Sequence, residues 1–200
     1  MSSLYNFNYL SIFFISLLFI SNHYILNNFA DNNYKLFDLL HYLTPDYFTN
    51  LSPFSDFMTI TLLVISSIFL YNKQSVIPFY KCIVLCQLFK KFVGMLTILP
   101  DSSGYCEEKS FQIILGRCND LVISGHACTI LTCYFFLSPY IKSSILSIYV
   151  ILNLILIVLS RNHYTIDVIF SFFVTNFIFE KWTPVSVLQK PRPVNHFYNH

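Results

Sequence analysis

The chain is dominated by apolar stretches that approach the length needed to cross a lipid bilayer. A spanning helix needs about 17–25 predominantly apolar residues. Six stretches come close to this length: Leu4–Ile20, Phe57–Tyr71, Val76–Leu99, Leu121–Leu137, Ser144–Ser160 and Tyr164–Phe179. Charged residues make up only 11% of the chain, against roughly 25% in soluble domains. The sequence therefore predicts an all-α, polytopic membrane protein with six transmembrane helices.

The stretches divide the chain into three parts. Residues 1–56 are predicted to hold the first transmembrane helix, without the basic start and cleavage site of a signal peptide, and a lumenal loop. Within that loop, the apolar residues of Tyr34–Leu43 have the spacing of a short helix lying on the membrane surface. Residues 57–181 form the predicted helical core, and 182–200 a disordered tail. The loops on the side of the two termini hold slightly more Lys and Arg than the loops on the other side. This difference predicts that both termini lie in the cytosol.

Other compositional features exclude several function classes. A net charge of +2 is too small for a nucleic-acid-binding surface. Only four glycines are present, which argues against a glycine-rich phosphate loop. Four of the six cysteines lie inside apolar stretches, as small core residues would: Cys82, Cys86, Cys128 and Cys133. Cys106 and Cys118 flank a polar loop, where an oxidising lumen would allow them to pair.

Polar residues collect at one membrane level. Successive spans alternate in direction, so the end of the third and the starts of the fourth and sixth lie on the same side. The polar residues near these three ends are Lys90, Lys91, Asp101, Asp120, Ser124, His126, Arg161, Asn162, His163 and Asp167. Because ionisable residues within membrane spans are rare and often functional, we interpret this level as a candidate active site.

Two histidines and a carboxylate in this set have the chemistry of phosphoryl transfer. His163 and Asp167 are four residues apart and so share a helix face, where the carboxylate can orient the imidazole. His126 comes from a different helix. One imidazole can attack phosphorus while the other protonates the leaving oxygen.

The remaining residues of the set are candidate phosphate ligands. Lys90, Lys91 and Arg161 could hold the non-bridging oxygens, and Gly125 would allow close backbone approach. Each also has a structural interpretation. The lysines could extend to the membrane surface, and Arg161 could anchor the topology. Asp120 and Ser124 could be helix N-caps.

Two segments resemble a known family. Cys118-Asn119-Asp120-Leu121-Val122-Ile123-Ser124-Gly125-His126 resembles the Cys-Gly-Asp-x-x-x-Ser-Gly-His segment of sphingomyelin synthases and their relatives. His163-Tyr164-Thr165-Ile166-Asp167-Val168 resembles their second signature, His-Tyr-Thr-x-Asp-Val. The resemblance extends over residues 57–181 and includes Lys90, where the family tends to carry a basic residue.

This resemblance implies a fold and a reaction. The family has a six-helix bundle like that of type-2 phosphatidic acid phosphatases (PAP2), with a His-His-Asp triad on the lumenal or exoplasmic face of the Golgi, endoplasmic reticulum or plasma membrane. It moves a phospho-headgroup from a glycerophospholipid to ceramide, releases diacylglycerol, and uses no metal or cofactor. By this resemblance His163 is the nucleophile, Asp167 its orienting partner and His126 the acid/base. Ser124 and Gly125, directly before His126, are predicted to contact the phosphate.

The departures from the family pattern leave the headgroup open. Asn119 and Ala127 replace the usual glycine and threonine, and Asn162 replaces an acidic residue next to His163. Choline, ethanolamine and inositol headgroups all remain candidates, as does a homo-oligomeric state. Two alternatives stand beside the transferase: a lipid phosphate phosphatase of the PAP2 type, and a non-catalytic lipid-binding membrane protein. Arg161 directly precedes Asn162 and His163, a closer spacing than in the classical phosphatase signature, which favours the transferase.

Overall fold

The computed structural model describes residues 36–71, 73, 75–97 and 122–183 of the chain. The predicted first span, the loop around residues 100–120 and most of the tail lie outside this part. Among the described residues there is no β-strand. The helices are α1 (Leu39–Leu43), a 3-10 helix (Asp46–Leu51), α2 (Ser52–Tyr71), α3 (Val76–Leu96), α4 (Gly125–Leu137), α5 (Ser143–Leu159) and α6 (Thr165–Trp182). The predicted all-α fold is confirmed.

Helix α4 is the centre of the bundle. It packs against α2, α3, α5 and α6, and every residue from Ala127 to Cys133 is buried. A helix that is buried all round needs no polar face, and α4 has hardly any amphipathic character because its residues are mostly apolar or small. The N-terminal end of α4 lies beside neighbouring helices, and Gly125 and His126 there are half-buried.

Small polar side chains point into the bundle, and many large apolar side chains point out. Ser55, Ser66, Ser171 and Thr175 are fully buried. The outward surface carries large apolar residues on three helices: Phe57, Ile60, Val64 and Ile68 on α2, Ile145, Ile148, Ile151 and Leu152 on α5, and Ile169, Phe173 and Phe177 on α6. Large continuous apolar surfaces of this kind are rare on soluble monomers, and small polar residues are typical of helix interfaces in membranes.

One described helical stretch, Asp46–Tyr71, is long and apolar enough to cross a membrane by length and composition. Two further apolar helices, Gly125–Leu137 and Ser144–Leu159, are shorter than a full span. A membrane helix is thus present.

Two helix starts differ from the predicted ones. Helix α2 begins at Ser52 rather than Phe57. Pro53 suits the first turn of a helix, because backbone N–H groups there have no partner within the helix and proline lacks this group. Helix α4 begins at Gly125 rather than Leu121. The backbone of Val122 has a φ of 105°, which is incompatible with a helix, and Ser124 then caps the first turn. As a result, Asp56 lies inside α2, and Ser124 lies at the N-terminus of α4.

The four cysteines in the described residues are buried thiols. Cys82 and Cys86 on α3 face Cys128 on α4, and Cys133 lies further along α4. They pack with Leu70, Phe79 and Phe136 in one apolar cluster. The prediction that these residues act as small core side chains is confirmed, whereas Cys106 and Cys118 lie outside the described residues.

Candidate active site

The predicted polar level is one end of the bundle. The C-terminal part of α3, the N-terminal ends of α4 and α6, and the turn between α5 and α6 meet there. The start of α2 lies at the same end, because Oγ of Ser52 donates to Oδ1 of Asn162 at 2.7 Å. His126, His163 and Asp167 are all located at this end, as the direction of the spans predicted.

His163 and Asp167 form a buried pair. Nδ1 of His163 lies 3.3 Å from Oδ2 of Asp167. His163 is 5% exposed, and Asp167 is completely buried. A carboxylate in contact with Nδ1 holds the proton on that nitrogen, so the lone pair is on Nε2. Nε2 is therefore the ring nitrogen that is free to act as a base or a nucleophile.

Asp167 is held in place by two backbone amides. Its Oδ2 accepts from the Tyr164 amide at 3.0 Å, and its Oδ1 accepts from the Val122 amide at 3.2 Å. The first bond closes the N-terminal turn of α6, and the second joins α6 to the segment before α4. Both bonds fix the orientation of the carboxylate. The same carboxylate thus orients His163 and links the two signature segments.

His126 has a carboxylate partner that the sequence reasoning missed. Its Nε2 lies 3.0 Å from Oδ1 of Asp56, one turn into α2, and both side chains are about one-third exposed. The predicted start of the second span at Phe57 left Asp56 just outside the helix. A start at Ser52 places Asp56 inside α2 at the level of His126. The site therefore contains two His–Asp pairs.

Lys90 and Lys91 are buried in the C-terminal part of α3. They are 3% and 5% exposed. A Cβ on Gly125 would lie 3.0 Å from Oε1 of Gln87 and 3.5 Å from Nζ of Lys90, so α3 packs directly against the glycine. Nε2 of Gln87 donates to the Gly125 carbonyl at 3.2 Å. Gly125 thus brings the Lys90 ammonium close to the N-terminus of α4, a position suited to an anion.

Ser124 links α4 to α6. Its Oγ accepts from the Ala127 amide at 3.2 Å, so it is the N-cap of α4. Its amide donates to Oγ of Ser171 at 2.8 Å, and that hydroxyl donates to the Asp167 carbonyl at 2.6 Å. In this structure the hydroxyl of Ser124 bonds to the backbone of α4, and its contact with a phosphate remains a prediction.

Arg161 is directed toward residues before α2. Its Nη2 donates to the carbonyls of His41 at 2.8 Å and Thr44 at 3.1 Å, and lies 2.7 Å from Oδ1 of Asp46. Its φ of 55° is left-handed, which costs about 1–3 kcal/mol for a residue with a side chain. These contacts offset that cost. The predicted phosphate contact of Arg161 remains a prediction, and Asp120 lies outside the described residues.

The surroundings of His163 favour its neutral form. Burial lowers the pKa of His163 below the ordinary 6.5, and the nearby charges of Lys90 and His126 lower it further. Asp167 opposes this shift but does not cancel it. His163 lies in the turn between α5 and α6, and its imidazole is neutral and able to act as a nucleophile at neutral pH.

A family model matches the part of the chain that holds His126, His163 and Asp167. Residues 117–184 match the family described as "PAP2 superfamily C-terminal". The chain is also 31% identical over 71 residues to the Caenorhabditis elegans protein named "Putative phosphatidylcholine:ceramide cholinephosphotransferase 3". That match covers 32% of this chain and 21% of the relative, so the chain spans about a fifth of the relative's length. No solved structure matches the chain.

Proposed function

We propose that this chain is an integral-membrane phospholipid:ceramide headgroup transferase, a function that its likeness to sphingomyelin synthase-like, PAP2-related proteins supports. It takes a phospho-headgroup from a glycerophospholipid, releases diacylglycerol, and passes the headgroup to ceramide. Its partners are thus two membrane lipids. The observation that carries this proposal is the buried His163–Asp167 pair at the same bundle end as His126 and Lys90.

In the first step, Nε2 of His163 attacks the phosphorus of the donor lipid. The bond from phosphorus to the diacylglycerol oxygen breaks, and His126 in its protonated form gives that oxygen a proton. The product is a phospho-histidine that carries the headgroup. Asp167 stabilises the charge that develops on the His163 ring, and Lys90 stabilises the phosphoryl oxygens together with Lys91 and the amides at the start of α4.

In the second step, the ceramide primary hydroxyl attacks the phospho-histidine. His126, now neutral, takes the hydroxyl proton, and the bond from phosphorus to Nε2 of His163 breaks. Both histidines return to their starting states. Oδ1 of Asp56 lies within ion-pair distance of Nε2 of His126, at 3.0 Å, so we assign the proton transfer to Nδ1 of that ring. No metal or cofactor enters this scheme.

The membrane arrangement is part of the proposal. The apolar exterior of α2, α5 and α6 faces lipid, and the polar bundle end opens at the lumenal or exoplasmic surface. Residues 57–181 form the catalytic core, preceded by a first spanning helix and a loop in residues 1–56 and followed by a cytosolic tail. In this arrangement the chain has six spans, and the buried small polar residues between its helices support a multi-pass protein.

A headgroup-transfer assay tests the proposed function. The full chain is reconstituted in liposomes with a fluorescent ceramide and, in turn, phosphatidylcholine, phosphatidylethanolamine or phosphatidylinositol. We expect a new phosphosphingolipid from at least one donor. Hydrolysis of phosphatidic acid or ceramide phosphate with no such product would replace the transferase by a PAP2-type phosphatase. Folded, inserted protein with no activity on any substrate would favour the non-catalytic lipid-binding function.

Replacing Asp56 tests the second His–Asp pair. We expect Asp56→Asn to lower kcat by about 10–100-fold, because His126 loses the group that orients its ring and balances its charge. Glu180→Gln is the matched control: it also removes a carboxylate from a helix, but Glu180 is paired with Asn176 in the last turn of α6. Equal rates for the two variants would show that Asp56 does not assist His126.

The lowered pKa of His163 predicts the acid side of the pH profile. Only the neutral ring attacks, so activity is present above the pKa of His163 and is lost as the pH falls through it. Because burial lowers this pKa, we expect the rate to persist as the pH falls past 6.5. Lys90→Gln removes a charge that lowers the pKa, so its acid limb should lie at higher pH. An acid limb at or above 6.5 in the unaltered protein would contradict the nucleophilic role of a buried His163.

A further inference from the structure

Residues 36–47, which we call the 36–47 segment, have an inverted polarity. Asp38 and His41 are 9% and 8% exposed, although they are polar. The exposed side chains are large and apolar or aromatic: Leu36, Phe37, Leu39, Leu40, Tyr42, Leu43 and Tyr47. Water would favour the opposite arrangement. This surface fits the boundary between lipid headgroups and acyl chains, where aromatic and leucine side chains are stable.

The two buried polar residues hold the turn that carries His163. Oδ2 of Asp38 accepts from the Thr165 amide at 2.6 Å, and its Oδ1 accepts from the Thr165 hydroxyl at 3.0 Å. Nε2 of His41 lies 3.0 Å from the Val158 carbonyl, and its ring packs on Tyr164. The segment thus contacts the chain on both sides of His163.

Arg161 in the His163 turn also binds the 36–47 segment. Its guanidinium binds the carbonyls of His41 and Thr44 and the carboxylate of Asp46, so the turn and the 36–47 segment hold each other. Between them lies a groove of about 430 Å³, with Phe37 and Tyr42 at its apolar side. An aromatic rim beside charged groups suits the headgroup level of a bilayer.

The position of the segment indicates which occupant covers it. It leads directly into the apolar stretch Asp46–Tyr71, whose outward side chains continue the same apolar surface. It also lies at the bundle end that holds His126 and His163. We propose that the exposed face of the 36–47 segment docks into the lipid surface on the catalytic side, and that this contact positions the His163 turn for attack. The residues of the segment are positioning residues. The effect on activity rests on the proposed function, whereas the docking does not.

The docking is tested by fluorescence, without any assay of activity. The chain has one tryptophan, Trp182, so Trp182→Phe combined with Phe37→Trp gives a single probe on the segment. The full chain is placed in phosphatidylcholine vesicles with bromine near the glycerol or near the acyl ends. We expect quenching by the shallow bromines and weaker quenching by the deep ones. An unquenched probe, or one quenched most strongly by the deep bromines, overturns docking at the surface.

The positioning is tested by polar substitutions of the exposed face. We expect Phe37→Gln/Leu43→Gln to lower kcat in vesicles by about tenfold while KM for the donor lipid stays nearly constant, because a misplaced nucleophile slows the step after binding. Ile77→Gln is the matched control, since Ile77 is 70% exposed at the opposite end of the bundle. Equal kcat values for the double variant and the control overturn the positioning role. If the unaltered protein transfers no headgroup, the proposed function fails and the fluorescence result still decides the docking.

Discussion

His163→Ala is expected to abolish headgroup transfer, with a loss of at least about 10⁴-fold in kcat. The variant lacks the nitrogen that attacks phosphorus. Among the described residues, no other imidazole is paired with a buried carboxylate in the same way. Since the proposed intermediate is covalent, the same change should remove protein-bound label after incubation with a donor lipid that is radiolabelled at phosphorus. The measurements are the initial rate in liposomes and the acid-labile label retained on the protein.

His41→Gln is the matched control for this experiment. His41 is a second buried histidine at the same end of the bundle, but it contacts the Val158 carbonyl rather than a catalytic carboxylate. It belongs to the 36–47 segment, so a moderate loss of rate is expected, with label still bound to the protein. Label on His163→Ala at the level of the unaltered protein would remove His163 as the nucleophile. Thermal unfolding of each variant separates loss of chemistry from loss of structure.

Asp167→Asn is expected to lower kcat by about 10³–10⁴-fold, nearly as much as loss of the nucleophile. The carboxylate accepts from two backbone amides and contacts Nδ1 of His163. An amide of the same shape has one acceptor oxygen, so its NH₂ group must oppose either a backbone N–H or the imidazole N–H. His163 would then lose the group that selects its tautomer and stabilises its positive charge.

Asp46→Asn is the control for a carboxylate at the same bundle end. Asp46 is almost fully exposed and pairs with Arg161, and we expect less than about a tenfold loss because exposed ion pairs contribute little. The rate of each variant is measured in the transfer assay, and its fold by circular dichroism. A folded Asp167→Asn protein with a rate within tenfold of the unaltered one would contradict the role of this carboxylate.

The pairing of His163 with Asp167 was predictable because it is local. Residues four apart on a helix share a face in any fold, and the structure places Nδ1 and the carboxylate in contact. The placement of His126 at the same end was predictable for a topological reason, because spans that alternate in direction return to the same side. Both conclusions depend on the order of residues in single segments and not on how the helices are rotated.

The partners of His126 and Arg161 were not predictable in this way. Asp56 reaches His126 because α2 begins at Ser52 and turns that face toward α4. The guanidinium of Arg161 reaches the carbonyl of His41, 120 residues away in the chain. No periodicity within one segment specifies which face of another segment it meets. These contacts follow from the packing of the bundle as a whole.

The sequence by itself determined the all-α class, a membrane helix, the buried thiols, and the adjacency of His163 and Asp167. Each of these depends on local hydrophobicity or on helical spacing, which any fold of this chain must satisfy. The tertiary structure alone decided that Asp56 faces His126, that Ser124 caps α4, and that Arg161 binds the 36–47 segment. These depend on close packing, in which the shape and rotation of every helix determine which polar groups come within hydrogen-bonding distance.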